Sequence, residues 1–235
     1  MKTRTLKVCR YLMRPFGWFI QEIIRSRIRT QLSGRTSIVQ TCSCFQKDIL
    51  SLVYLCRSHG LNEVADYWES VVRLNEYQKR RFVHNIIEKM FHTVTDKRIA
   101  VLGFAFKPDT GDTRDAPAVY ICKKLLEEGA RLSIVDPKAM ENARKDLEGI
   151  DQNVAYERDA YKAAKGAHAL VVLTEWKTFQ DLDFEKIFKH MEKPAFVFDG
   201  RNLLDPDMLA RIGFHVVPVG KKERGEFVSG GLSSG

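Results

Sequence analysis

No stretch of this 235-residue chain holds the ~18 consecutive apolar residues that a membrane-spanning helix needs, so no membrane partner is expected. Cysteine is scarce in the pattern that would make a scaffold. The five are Cys9, Cys42, Cys44, Cys56 and Cys122. An odd number without framework spacing argues against disulfides and for a reducing compartment, and a cytoplasmic setting follows. Cys42-Ser43-Cys44 has no second Cys/His pair to complete four ligands, so no metal is expected. The glycine fingerprint of a dinucleotide site, G-x-G-x-x-G, occurs nowhere. Acids are nearly missing from residues 1–40, which hold nine Lys/Arg and the lone Glu22. Of the chain's 38 bases and 30 acids, 29 of each remain for the rest, which is neutral.

What is present is a globular composition, 44% apolar and 29% charged, and enough length for one large or two small domains. The basic first segment fits an organelle-targeting peptide, or a basic arm for nucleic acid or acidic lipid. It lacks aromatics at a stacking period, and the neutral remainder offers no supporting patch, so no nucleic-acid partner is expected. Tyr11–Ile24 carries apolar bulk interrupted by Arg14-Pro15 and Gly17.

From Phe45 to Cys56 the spacing predicts a helix, with Ile49, Val53 and Cys56 on one face and His59-Gly60 as the stop. Asn62 is expected to cap a second helix running to about Phe91, about 45 Å long at ~1.5 Å per residue. A helix of that length serves as a spacer or an interface. At Asp96 the pattern changes. Arg98–Gly103 reads as a buried strand, Phe104–Arg114 as a polar loop, Pro117–Glu128 as a helix closed by Gly129, and Arg131–Asp136 as the next strand. Apolar runs at 169–173, 195–198 and 214–217 alternate with short helices at 183–190 and 206–211. This predicts an α/β fold: a helical central segment, then a Rossmann-like, doubly wound, mostly parallel sheet.

In such sheets the ligand crevice lies beyond the carboxyl ends of the strands. Lys107 and Arg201 converge there and suit an anionic ligand, and Arg114 could reach a second phosphate. Asp136, Asp199 and Asp205 are read as turn and cap residues. The first strand-to-helix loop has Gly103 and then no glycine until Gly111, unlike an ordinary dinucleotide site. Farther upstream, Ser43-Cys44-Phe45-Gln46-Lys47-Asp48 places a thiol, a lysine and a carboxylate within one turn at a helix start. Unpaired backbone N–H groups and the helix dipole favour a thiolate there. A small buried hydrophobe is the competing reading of that cysteine.

Several stretches then occur in order: Ser43–Asp48, Asn75-Glu76-Tyr77-Gln78, Gly103-Phe104-Ala105-Phe106-Lys107, Thr110-Gly111-Asp112-Thr113-Arg114, Ala167-His168, Leu173-Thr174-Glu175-Trp176 and Phe198-Asp199-Gly200-Arg201. Together, from about Ser43 to Lys221, they resemble the UDP-glucose 6-dehydrogenases of the UDP-glucose/GDP-mannose dehydrogenase family, in their eukaryotic form. The resemblance implies NAD-dependent, two-step oxidation of UDP-glucose to UDP-glucuronate through a cysteine thiohemiacetal and thioester. It assigns Cys44 as nucleophile and Asp48 as the residue that helps activate water. It assigns Phe106, Lys107 and Arg201 to substrate, and Lys47 and Arg114 to positions near NAD. It implies a homodimer or larger homo-oligomer built by the central helices. Residues 43–94 would be that dimerisation segment, 95–221 the UDP-sugar domain, 222–235 a flexible tail, and 1–42 a poorly ordered, non-matching segment.

The family's NAD-binding domain, its upstream active-site Lys and Asn, and its glycine-rich approach to the cysteine are not matched. Val39-Gln40-Thr41-Cys42 stands where that approach would be. The expectation is therefore a truncated and inactive form, with a non-catalytic UDP-sugar-binding or dimerisation module as the alternative.

Overall fold

The computed structural model describes residues 43–225, with side chains from Gln46 onward, and these belong to one compact unit. The basic segment 1–42 and the tail beyond 225 lie outside the described residues.

Helix α1, Ser43–Ser58, is one turn longer than its apolar spacing indicates. Helix α2, Asn62–Lys89, runs 28 residues. Asn62 does not cap it. Leu61 holds the N-cap position without a side-chain hydrogen bond, and Asn62 is the first helical residue. The α1–α2 turn is instead closed by backbone, with Gly60 at φ +73° and Leu61 N donating to Cys56 O. Ile49, Val53 and Cys56 pack against Ala65 and Val71 in a small core of their own. Phe82, Val83, Ile86 and Met90, farther along α2, belong to the main core under the sheet. One helix thus serves two cores.

The sheet has strands β1 Arg98–Leu102, β2 Arg131–Val135, β3 Val154–Tyr156, β4 Ala169–Val172, β5 Phe196–Asp199 and β6 His215–Pro218. All pair in parallel, in the order β3-β2-β1-β4-β5-β6. β4 and β5 are buried along their whole length and β1 along all but its first residue, as strands covered on both faces must be. Between strands lie α3 Pro117–Glu127, α4 Met140–Asp146, α5 Ala160–Ala164, α6 Lys177–Gln180, α7 Phe184–His190 and α8 Pro206–Ile212. Their starts follow residue chemistry. Pro117 opens α3, and Asp159, Asp183 and Asp205 cap α5, α7 and α8 by accepting from backbone N–H groups. Edge strand β3 and helices α4, α5 and α6 carry too few periodic residues to be read from spacing.

After β6 the chain doubles back. Arg224 and Val216 exchange two backbone hydrogen bonds as an antiparallel bridge, and Arg224 also pairs with Asp207 at 2.7 Å. Glu223 pairs with Lys89 of α2 at 3.0 Å. The first residues of the expected tail are thus held against the sheet.

Candidate ligand crevice at the carboxyl ends of the strands

Strand order reverses between β1 and β4, the place beyond the strand ends where open α/β sheets take their ligands. At its base the backbone approach is close. Gly103, at φ +90°, lies so near β4 that a Cβ built on it would fall 2.4 Å from Thr174 Cβ and 2.7 Å from Thr174 N. Only glycine meets both demands. Gly103 thus serves packing between two strands; it does not open a cradle for phosphate.

The next residues are pinned from three sides. Phe104 N and Ala105 N donate to Asp136 Oδ2 at 2.7 and 2.9 Å. Thr174 Oγ1 donates to Ala105 O at 2.5 Å, and Phe106 N donates to Asp112 O at 2.9 Å. From β5, Arg201 Nη2 donates to Phe106 O at 2.8 Å and its Nε donates to Leu173 O at 2.7 Å. The Arg201 side chain is only 7% exposed, and Glu175 Oε2 lies 3.2 Å from Nε. Because the Nε proton is directed at Leu173 O, Glu175 supplies charge rather than a well-aligned hydrogen bond. Burial draws the Arg201 pKa down, opposed by the charges of Glu175 and Asp199.

Lys107 follows directly on Phe106 and is exposed, while Phe106 is half-buried. The two cations expected at this edge are therefore brought together, in different roles. Arg201 ties the β1 and β4 loops, and Lys107 faces solvent. The turn that carries Arg201 is organised by Asp199, buried at 1% exposure, whose carboxylate accepts from Arg201 N and Leu204 N at 2.9 Å each. Burial pushes the Asp199 carboxyl up, against several backbone N–H groups that pull it down. The turn and cap reading of Asp136, Asp199 and Asp205 thus agrees with their bonds, though for Asp136 it understates the number of loops joined.

Arg114 lies on the same loop and is grasped by its neighbour. Its Nε donates to Asp112 Oδ1 at 2.9 Å and its Nη2 to Asp112 Oδ2 at 2.7 Å, a bidentate fork. The hydrogen bonds from Arg114 hold the Asp112 carboxyl down at about 2. Lys47 and Asp48 stand exposed in the first turns of α1. Cys44 is the second residue of that helix, and its side chain falls outside the described ones.

Spacing places Asp136 and Thr174-Glu175-Trp176 at the strand ends that border this site but assigns them no part in holding its loops. A run of polar and aromatic residues directly after a fully apolar strand, Thr174-Glu175-Trp176, was the available signal. A dinucleotide does not fit this sheet. The first loop has no phosphate cradle, and the carboxylate at the end of β2, where a dinucleotide fold hooks its ribose, is occupied by five protein N–H donors. Among the described residues no His/Cys/Asp/Glu cluster could hold a metal, and no helix is long and apolar enough to cross a membrane.

The sheet order, with its switch point between β1 and β4, is that of a doubly wound, nucleotide-binding type of α/β fold. Residues 100–206 match the UDP-glucose/GDP-mannose dehydrogenase family, UDP binding domain. The chain is 51% identical over 198 residues to UDP-glucose 6-dehydrogenase 1 of Arabidopsis thaliana, covering 76% of this chain and 41% of that protein. It is 53% identical over 190 residues to UDP-glucose 6-dehydrogenase of Drosophila melanogaster, covering 77% and 40%. Among solved structures it superposes on a UDP-glucose dehydrogenase from the hyperthermophilic archaeon Pyrobaculum islandicum with TM-score 0.62 at 30% identity, covering 78% of this chain and 38% of that one. An NDP-N-acetyl-D-galactosaminuronic acid dehydrogenase from Methanosarcina mazei shares the fold, with TM-score 0.55 at 22% identity, covering 68% and 32%.

The chain belongs to the UDP-glucose/GDP-mannose dehydrogenase family, through its UDP-binding domain. It spans about two fifths of the length of the relatives it matches, at 41% of the Arabidopsis protein.

Proposed function

We propose that the sheet holds the uridine diphosphate part of UDP-glucose in the β1–β4 crevice, and that this chain binds the sugar nucleotide without turning it over by itself. The observation that carries the reading is the Phe104–Lys107 loop. It is fixed by Asp136, Asp112, Thr174 and Arg201 and leaves Lys107 exposed beside it. A rigid loop presenting one cation is suited to a diphosphate. Phe106, half-buried next to it, offers an aromatic edge to the ligand. Arg201 acts by holding the loop and by adding positive potential from below.

By descent the reaction class is that of the relatives, with Cys44 as nucleophile, Asp48 assisting water, and Lys47 and Arg114 near the cofactor. When bound, NAD supplies the hydride acceptor. Lys47 and Arg114, both exposed, are the residues of this chain that would stand near it. The exposed apolar side chains Leu50 and Tyr54 on α1 and Tyr67, Leu74 and Tyr77 on α2 support a second copy of the chain as partner, and the unframed cysteines support a reducing, cytoplasmic setting.

The test is direct. Titration calorimetry of the full chain with UDP and UDP-glucose is expected to show 1:1 binding, and NADH absorbance with UDP-glucose and NAD+ is expected to stay flat. No heat with either ligand would refute the binding reading. Sustained NADH production that a Cys44→Ser variant abolishes would replace it with the enzyme reading.

A further inference from the structure

Asp136 is buried at 4% exposure at the end of β2, and its carboxylate gathers three loops. Oδ2 accepts from Phe104 N and Ala105 N of the β1 loop, and from Trp176 Nε1 of the β4 loop at 3.1 Å. Oδ1 accepts from Lys138 N at 2.8 Å and Ala139 N at 2.7 Å, in its own loop. Five donors meet a group with about four lone-pair sites, so its acceptor capacity is full. Trp176, buried at 6% exposure, reaches from β4 past the end of β1 to do this. A cavity of about 710 Å³ lies on the outer side of Asp136, lined also by Lys138, Arg158 and Thr178. Glu141 and Asp159 line it as well, but the Asp136 carboxylate, filled by protein donors, is turned to the loops and not to this space.

We propose that Asp136 is the positioning residue of the crevice: by fixing the backbone of Phe104 and Ala105 against Trp176, it sets where Lys107 presents its charge to a diphosphate. The inference rests on the UDP-binding reading given above. The chain of bonds is short. Asp136 holds Phe104 and Ala105, Phe106 is held next in line by Asp112 and Arg201, and Lys107 is the first residue beyond. An amide in place of the carboxylate would turn an N–H donor toward donors and release this end of the loop.

The experiment is a double-mutant cycle on the full chain: wild type, Asp136→Asn, Lys107→Ala and both, titrated with UDP and with uridine. Asp136→Asn is expected to weaken UDP about tenfold, roughly the loss of one charge-assisted contact, with uridine changed less than about twofold. The double variant should bind UDP within about twofold of the weaker single variant, because both changes remove the same contact. Multiplying losses, or equal losses for UDP and uridine, would overturn the proposal. Hydrogen exchange on the same proteins decides it even if wild type binds no UDP, the result that sinks the binding reading instead. The Phe104 and Ala105 amides should exchange more than tenfold faster in Asp136→Asn, with the β4 and β5 amides unchanged. Unchanged loop exchange, or loosening of the whole sheet, would overturn it. If Asp136→Asn does not fold, Asp136→Glu keeps the charge but displaces the carboxylate by one methylene and should accelerate the same two amides, and unaltered exchange there counts against the proposal.

Discussion

Arg201→Ala should loosen the crevice from its β5 side. Two bonds from a buried cation to the carbonyls of Leu173 and Phe106 are lost. Hydrogen bonds to a charged group contribute about 1.5–3 kcal/mol each. The pair with Glu175, whose side chain is 40% exposed, adds at most about 1 kcal/mol after solvent screening. Water entering the vacated space re-satisfies part of the two carbonyls, which lowers the sum. The expected loss is about 3–5 kcal/mol, a large part of the ~5–15 kcal/mol that stabilises an ordinary domain. Urea unfolding is the assay, with the midpoint falling and the slope unchanged. Thermal midpoints should drop by roughly 6–20 °C, at about 2–4 °C per kcal/mol for a chain of this size. Arg201→Lys keeps the charge but not the planar fork, and should recover less than half of the loss. If Arg201→Ala unfolds within about 1 kcal/mol of wild type, or Arg201→Lys restores full stability, the claim that this guanidinium ties two loops is wrong.

Three further outcomes are expected. Gly103→Ala should cost about 2–5 kcal/mol, combining a left-handed φ with a Cβ driven into Thr174, and a Thr174→Gly partner should recover part of it in thermal melts. Asp112 should titrate near its depressed value of about 2 by NMR; its folded pKa lies below the unfolded 3.8, so its contribution is complete above pH 3.8 and fades as pH falls toward about 2, a segment of the stability profile that Asp112→Asn should lack. Tyr54→Glu combined with Tyr77→Glu, both on exposed helix faces, should shift sedimentation of a self-associated chain to the monomer and leave the melting midpoint of the sheet unchanged.

The site was partly legible before any coordinates. Lys107 and Arg201 could be placed at one edge because strand ends in a parallel sheet share a side, and motif order named the family. Spacing could not separate their roles. Both are cations after a strand, and only packing makes one a buried tie and leaves the other to solvent. Asp136 read as a turn residue from its Asp-Pro context, and its bonds to Lys138 and Ala139 are of that kind. Its bonds to Phe104, Ala105 and Trp176 join residues at least 31 positions away.

The sequence by itself determined the parallel architecture, since continuous apolar strands alternating with helices have few other ways to bury both faces. It also determined the cap at Asp205, because that follows from local backbone chemistry, whereas the glycine at 103 is demanded by the approach of Thr174. The strand order, the short edge strand β3 and the Asp136–Trp176 contact were decided only by the tertiary structure. They depend on which loops arrive together when the sheet is wound, and no periodicity within one segment records that meeting.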